Sequence, residues 1–165
     1  MKILFFVLTF YLVITTEASL SANTTNASLA INTTTDESSA SNKICFFDYW
    51  SVFIYDGINE PITVHVQSGD DDLGNRTISV NGYTKWSFCM NIGFKTRFYA
   101  HFYWNSRTAF FDVFDYDTSK AFCDNHKLFK KQRCLWLVRD DGFYLAIGQH
   151  FNPFPDGWVK LHDWS

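Results

Sequence analysis

Apolar and polar residues alternate with a period of two along much of the chain. In "PITVHVQ", Ile62, Val64 and Val66 interleave with Thr63, His65 and Gln67, the pattern of a strand with one buried and one wet face. "RTISV" continues it with Ile78 and Val80. Asn81-Gly82 then gives a two-residue hairpin signal leading into "YTKWSFC", where Trp86 and Phe88 share a face. "RFYAHFYW" sets Phe98, Ala100, Phe102 and Trp104 against Tyr99, His101 and Tyr103. "TAFFDVFDYD" and "QRCLWLVRDDGFYLAI" supply further strands, the second broken by a turn at Asp141-Gly142. No stretch repeats at 3.6 over three turns. Short strands spaced by Gly, Asn and Asp turns predict an all-β domain over residues 43–165, an antiparallel β-sandwich of about seven to nine strands.

The first residues are of another kind. Lys2 precedes the apolar run "ILFFVLTFYLVI", and Ala18 closes a small and polar stretch. That is the anatomy of a secretory signal peptide over residues 1–18, too short to span a bilayer. Export follows, with no membrane insertion once the signal is removed. Residues 19–42 are rich in Ser, Thr and Asn and hold no aromatic residue, so a disordered tail is expected. Asn23, Asn26 and Asn32 there, and Asn75 in the domain, head N-x-Ser/Thr sequons and are candidate glycan acceptors.

Four cysteines, Cys45, Cys89, Cys123 and Cys134, fall in the exported domain. An even count in an oxidising compartment argues for two disulfides, with three pairings open. Zinc fails on spacing, because there is neither a C-x-x-C pair nor a His-x3–5-His arrangement. The five histidines are scattered, and no cofactor is implied. A net charge of −3 argues against nucleic acid.

Asp70, Asp71 and Asp72 raise the question of an active site. A helix-loop-helix calcium loop starting at Asp70 needs a glutamate where Asn81 stands. Acid/base catalysis needs two carboxylates aimed at one point, and neighbours in a strand point to opposite faces. A solvated loop capped by short acidic side chains remains, with Asn75 on it and partner contact as its functional role. Glu60 is the single glutamate of the domain, and no nucleophile motif is present, so no enzyme is expected. The stretch "KAFCDNHKLFKKQRC" is the better interaction candidate. Lys120, Lys127, Lys130, Lys131 and Arg133 make it basic, and Leu128-Phe129 puts an apolar tip within reach of an acidic partner. The competing function is a carbohydrate-binding β-sandwich module, with Tyr99, Tyr103 and Trp158 as outward rings.

Several blocks also resemble the plant self-incompatibility family, the S-protein homologues. "VHVQSGDDDLG" is similar to that family's strand running into an acidic loop that closes on Asp-Leu. "YTKWSF", "FYAHFYW", "FDVFDYD", "CLWLVRDDGFY" and "WVKLHDW" follow in the family's order. The resemblance implies a secreted, non-enzymatic plant β-sandwich that acts as a ligand for a cell-surface receptor, as in recognition between pollen and stigma. It also bears on the cysteines. The family's first two fall at Val66 and Ala100 here, both on the inward side, so packing replaces that bridge. Cys134 matches the family's last cysteine and implies a Cys123–Cys134 pair, although Cys123 lies further upstream than usual. Cys45 and Cys89 are then an extra pair, a substitute bridge.

Overall fold

The computed structural model describes residues 45, 48–127 and 131–165. The predicted signal peptide, the tail and the sequons at Asn23, Asn26 and Asn32 lie outside the described residues, as does Lys130. Nine strands occur among the described residues. They are β1 (Tyr49–Asp56), β2 (Ile62–Ser68), β3 (Asp72–Ile78), β4 (Tyr83–Cys89), β5 (Phe98–Trp104), β6 (Arg107–Phe114), β7 (Gln132–Arg139), β8 (Gly142–Ala146) and β9 (Trp158–His162). They form a five-stranded sheet, β4-β1-β7-β8-β9, and a four-stranded sheet, β3-β2-β5-β6. The expected sandwich is present.

Its core is the sum of the alternating inward faces. Val52, Ile54, Val64, Val66, Ala100 and Phe102 are all at most 1 % exposed. Val66 stands directly opposite Ala100 on the neighbouring strand, and both are buried apolar residues. Phe102, Phe111 and Phe143 carry the aromatic packing across the two sheets, with ring centroids 4.7–5.1 Å apart.

The alternation reads correctly along β2, β4 and β5, and three features depart from it. Asn81-Gly82 does not close a hairpin. A turn is present, with the Gly82 N–H donating to Ser79 O at 2.7 Å, but it carries the chain from one sheet to the other. Val80 is consequently exposed rather than inward. Arg76 laces the two edges together there, donating to Thr84 Oγ1 and Lys85 O. The second departure is a parallel pair, β1 beside β7, in an otherwise antiparallel structure. The third is β7, buried on both faces instead of one. On its outer side Leu135, Leu137, Ala146 and Trp158 form a second small core with Phe53, Tyr55 and Tyr144, and Phe151 of the 147–157 segment lies against Tyr55 and Trp158.

One buried group makes stability depend on pH. Asp56 ends β1 at 2 % exposure. Its Oδ1 accepts from the Ile58 N–H at 2.8 Å, while Oδ2 has no partner among the described residues. Burial raises its pKa above the ordinary carboxylate value, against the opposing pull of the Ile58 N–H. A carboxyl held high in the folded state favours folding while it is protonated. Its contribution is full below the unfolded value of about 4 and is lost as pH rises through the raised folded value. Asp56→Asn removes that titration, so the variant should gain on the wild type as pH rises from about 4 to 7. Urea unfolding at both ends reads the difference; a gap that does not change with pH would exclude Asp56 as its source.

Candidate functional site: the disulfide-braced end of the sandwich

The pairing register gathers the functional candidates at one end. The start of β1 faces the end of β4 (Tyr49 with Cys89) and the start of β7 (Trp50 with Gln132). In the other sheet, the end of β2 and the end of β6 both meet Phe98 at the start of β5. The connections 69–71 and 90–97 and residues 115–127 therefore emerge together. Both disulfides sit there too. Cys45 joins Cys89 with Cα atoms 5.4 Å apart, and Cys123 joins Cys134 at 5.1 Å.

The acidic stretch divides into two roles. Asp72 begins β3 and is structural. It accepts from the Gly74 N–H (2.8 Å), His65 (2.7 Å) and Gln67 (3.2 Å). The Gly74 N–H foremost, then His65, lowers its pKa below the usual carboxylate range. Gly74 takes φ +72°, which suits glycine. Asp70 and Asp71 form the tight turn, their N–H groups donating to Ser68 Oγ, and both residues are exposed. Asn75 belongs to β3 and not to this loop, because the strand begins earlier than the turn residues imply. It is nonetheless exposed. Asp70 and Asp71 line a cleft of about 480 Å³, with Lys95 and Arg97 among its other lining residues. Arg97 is held by Asp112 through Nε (2.7 Å) and Nη2 (2.6 Å).

The basic stretch is less uniform than its sequence implies. After β6 the chain makes one helical turn, α1 (Tyr116–Thr118), capped by Asp115, and then a π-helical turn over Ser119–Cys123. Lys120 is engaged by Asp124 at 2.8 Å and Asp48 at 3.8 Å, which removes it from the exposed cations. Lys127 is exposed. Lys131 lies over the Tyr49 ring at 5.5 Å, and Arg133 is on β7 opposite Ser51. The loop is closed by Gln132, 1 % exposed. Its amide donates to Asn125 Oδ1 and Lys127 O and accepts from the Asn125 N–H and from Gln149.

One element escapes the sequence reading. The connection 91–96 carries Ile92 at 84 % exposure and Phe94 at 43 %. A hydrogen-bonded frame holds it. The Asn91 N–H donates to Thr96 Oγ1 (2.9 Å), and Asn91 Oδ1 accepts from the Lys95 N–H (2.7 Å). Gly93 and Phe94 both have positive φ, a conformation uncommon for phenylalanine. The Phe94 ring rests on Tyr116 at 4.8 Å. The available signal was two large apolar residues flanking a turn glycine, where polar residues are the rule. Of the proposed sugar-stacking rings, Trp158 is buried at 9 % exposure, its Nε1 donating to Asn152 O, because the 147–157 segment covers it. No group of three or more potential metal ligands occurs among the described residues. No helix among them is long and apolar enough to cross a membrane.

The profile of the family described as plant self-incompatibility protein S1 matches residues 51–164, nearly all of this sandwich. The chain belongs to that family. S-protein homolog 5 of Arabidopsis thaliana is 29 % identical over 95 residues, covering 58 % of this chain and 67 % of its own. S-protein homolog 3 of the same plant is 37 % identical over 85 residues, 49 % of this chain and 51 % of its own. Self-incompatibility protein S1 of Papaver rhoeas is 31 % identical over 94 residues, 57 % and 64 % respectively. The chain thus spans about half to two thirds of the length of these curated relatives. A solved SPH (self-incompatibility protein homologue) structure covers 72 % of this chain and 96 % of its own, with a TM-score of 0.51 at 17 % identity. That likeness is one of fold. The SPH proteins are described as small, highly stable and secreted plant proteins, in keeping with the export that the N-terminal sequence predicts.

Proposed function

We propose that this chain is a secreted, non-enzymatic extracellular ligand, read by a cell-surface receptor through the disulfide-braced end of its sandwich. Recognition between pollen and stigma is one setting for such a ligand. The observation that carries the reading is the 91–96 connection, which holds Ile92 almost fully exposed on a hydrogen-bonded frame. A large apolar side chain kept in water by ordered backbone fits a binding anchor, because the ordering entropy is already lost before contact. Around it stand exposed charges of both signs: Asp70 and Asp71 on one loop, Lys127 and Lys131 on another. Such a mixture steers and orients an encounter.

Saturable binding of labelled protein to plasma-membrane vesicles from stigma, pollen and root tests the reading. Ile92→Asp should weaken binding by about 10- to 30-fold, the range of an interface anchor, with the unfolding midpoint unchanged. Replacing Lys127, Lys130 and Lys131 with serine should weaken it most at low salt, where long-range attraction is least screened. Binding indifferent to both changes would move the contact surface elsewhere. Binding to a glycan array, with none to protease-sensitive sites on the vesicles, would favour the carbohydrate module instead.

A further inference from the structure

The outer face of the four-stranded sheet carries rings that the core does not use. Phe110 on β6 is 60 % exposed and Tyr103 on β5 is 43 % exposed. Isolated exposed rings are ordinary, but these are arranged together. His101 lies nearly parallel to Phe110, centroids 4.1 Å apart and planes at 28°. The Tyr103 ring plane is nearly parallel to that of His101 (13°, centroids 6.4 Å apart), and Tyr99 meets Phe110 edge-on at 5.7 Å. The result is a compact aromatic patch in which His101 and Phe110 stand face to face and Phe110 and Tyr103 keep exposed surface.

The register shows what stands at its rim. Asn75 on β3 is opposite His65, His65 is opposite His101, and His101 is opposite Phe110. Residues directly opposite in a sheet share a face, and strands lie about 4.8 Å apart. A single row therefore runs from Asn75 across His65 and His101 to Phe110, roughly 14 Å long. Val64 and Val66, the neighbours of His65 along β2, are buried, which fixes the row as outward-facing. Asn75 and Thr77, the two defining residues of the sequon, are both exposed on this same face.

We infer that Asn75 is a glycosylation site whose innermost sugars lie back across His65, His101, Tyr103 and Phe110. The modification forms a bond from Asn75 Nδ2 to C1 of the first sugar. It breaks the C1–O bond to a lipid-pyrophosphate oligosaccharide donor, which leaves with the electron pair, while the amide proton passes to a base of the transferase. The attachment point sets the ligand beside the rings at high effective concentration, so weak stacking suffices to hold it. The apolar C–H groups of N-acetylglucosamine pack against the exposed ring surface of Tyr103 and Phe110, and His65 and Gln67 at the near end offer hydrogen bonds to hydroxyl and acetamido groups. Placement on β3 has a second effect. β3 is an edge strand, and a bulky hydrophilic chain there blocks pairing with another sheet. The inference rests on export alone and is independent of the receptor reading.

The test uses full-length protein from plant cells, with Asn23, Asn26 and Asn32 changed to glutamine so that Asn75 carries the single glycan. Enzymatic release in heavy-oxygen water should mark Asn75 by mass. Trimming the glycan should lower the unfolding midpoint by about 2–4 °C, and it should have no effect in a Tyr103→Ser/Phe110→Ser variant. These rings are exposed, so the variant should fold; should it fail, NMR of the wild type decides. The acetamido methyl protons of the first sugars should show ring-current shifts. An unmarked Asn75 would overturn the inference, as would a marked one with solution-like methyl shifts or a trimming effect that survives loss of both rings.

Discussion

Trp136→Ala is expected to lower stability by about 3–5 kcal/mol, a large share of what holds a domain of this size together. Trp136 is 1 % exposed on β7, and its ring lies 5.2 Å from Phe111 of the opposite sheet. Its indole Nε1 also donates to Val113 O at 2.9 Å, joining the two sheets by a hydrogen bond inside the core. Alanine leaves a cavity that the neighbouring strands can close only in part, and it deprives a buried carbonyl of its donor. Trp136→Phe keeps most of the packing and removes the donor, so it should cost about 1–3 kcal/mol. Urea unfolding followed by circular dichroism measures both. An alanine variant within about 1 kcal/mol of wild type would mean that the sheets are held elsewhere.

Replacing Cys45 and Cys89 together with serine should cost about 4 kcal/mol. The bridge spans a sequence separation of 44, and the closure entropy it removes from the unfolded chain grows with the logarithm of loop length. The shorter Cys123–Cys134 link, separation 11, should be worth about 3 kcal/mol on the same scale. The ranking is therefore informative. If the short link proves the larger, its role in holding the 124–131 loop outweighs chain entropy. Peptide mapping without reductant checks the pairing; a Cys45–Cys134 peptide would refute it.

Much of the fold is legible in local pattern, because alternation depends only on which face of a strand is buried. Ile62, Val64 and Val66 announce β2, Phe98, Ala100 and Phe102 announce β5, and the turn expected at Asp141-Gly142 does join β7 to β8, one residue earlier than read because Gly142 begins β8. What is lost is non-local. Asn81-Gly82 encodes a change of direction, but nothing in those residues says which sheet receives the next strand. The parallel neighbours β1 and β7 are far apart in sequence, beyond any window. The burial of Leu135 and Leu137 on the outer side of β7 depends on Phe53, Tyr55, Tyr144 and Trp158 from other elements, which no local period reveals. The candidate site divides in the same way. Charge made Asp70–Asp72 and the 120–133 stretch visible, yet Asp72 and Lys120 are engaged in local hydrogen bonds. Ile92 was passed over because two apolar residues about a turn glycine form no period, and its exposure is a property of the folded frame.

The position of β1 also governs how the molecule comes into being. β1 is the second strand of its sheet, hydrogen-bonded to β4 on one side and to β7 on the other. The β4 partner leaves the ribosome early, but β7 follows only after the whole second sheet and the α1 segment. Until then one hydrogen-bonding edge of β1 is open, and its inward face, with Trp50, Val52 and Ile54, lacks the neighbouring strand of the finished core that conceals them completely. Pairings of such high sequence separation are slow, on the order of milliseconds to seconds once the chain is complete. Translation therefore delivers an aggregation-competent edge into the secretory lumen for as long as residues 57–131 are being made. A nascent chain halted before Gln132 should engage lumenal chaperones, and one halted after Ser165 has all the strands needed for release.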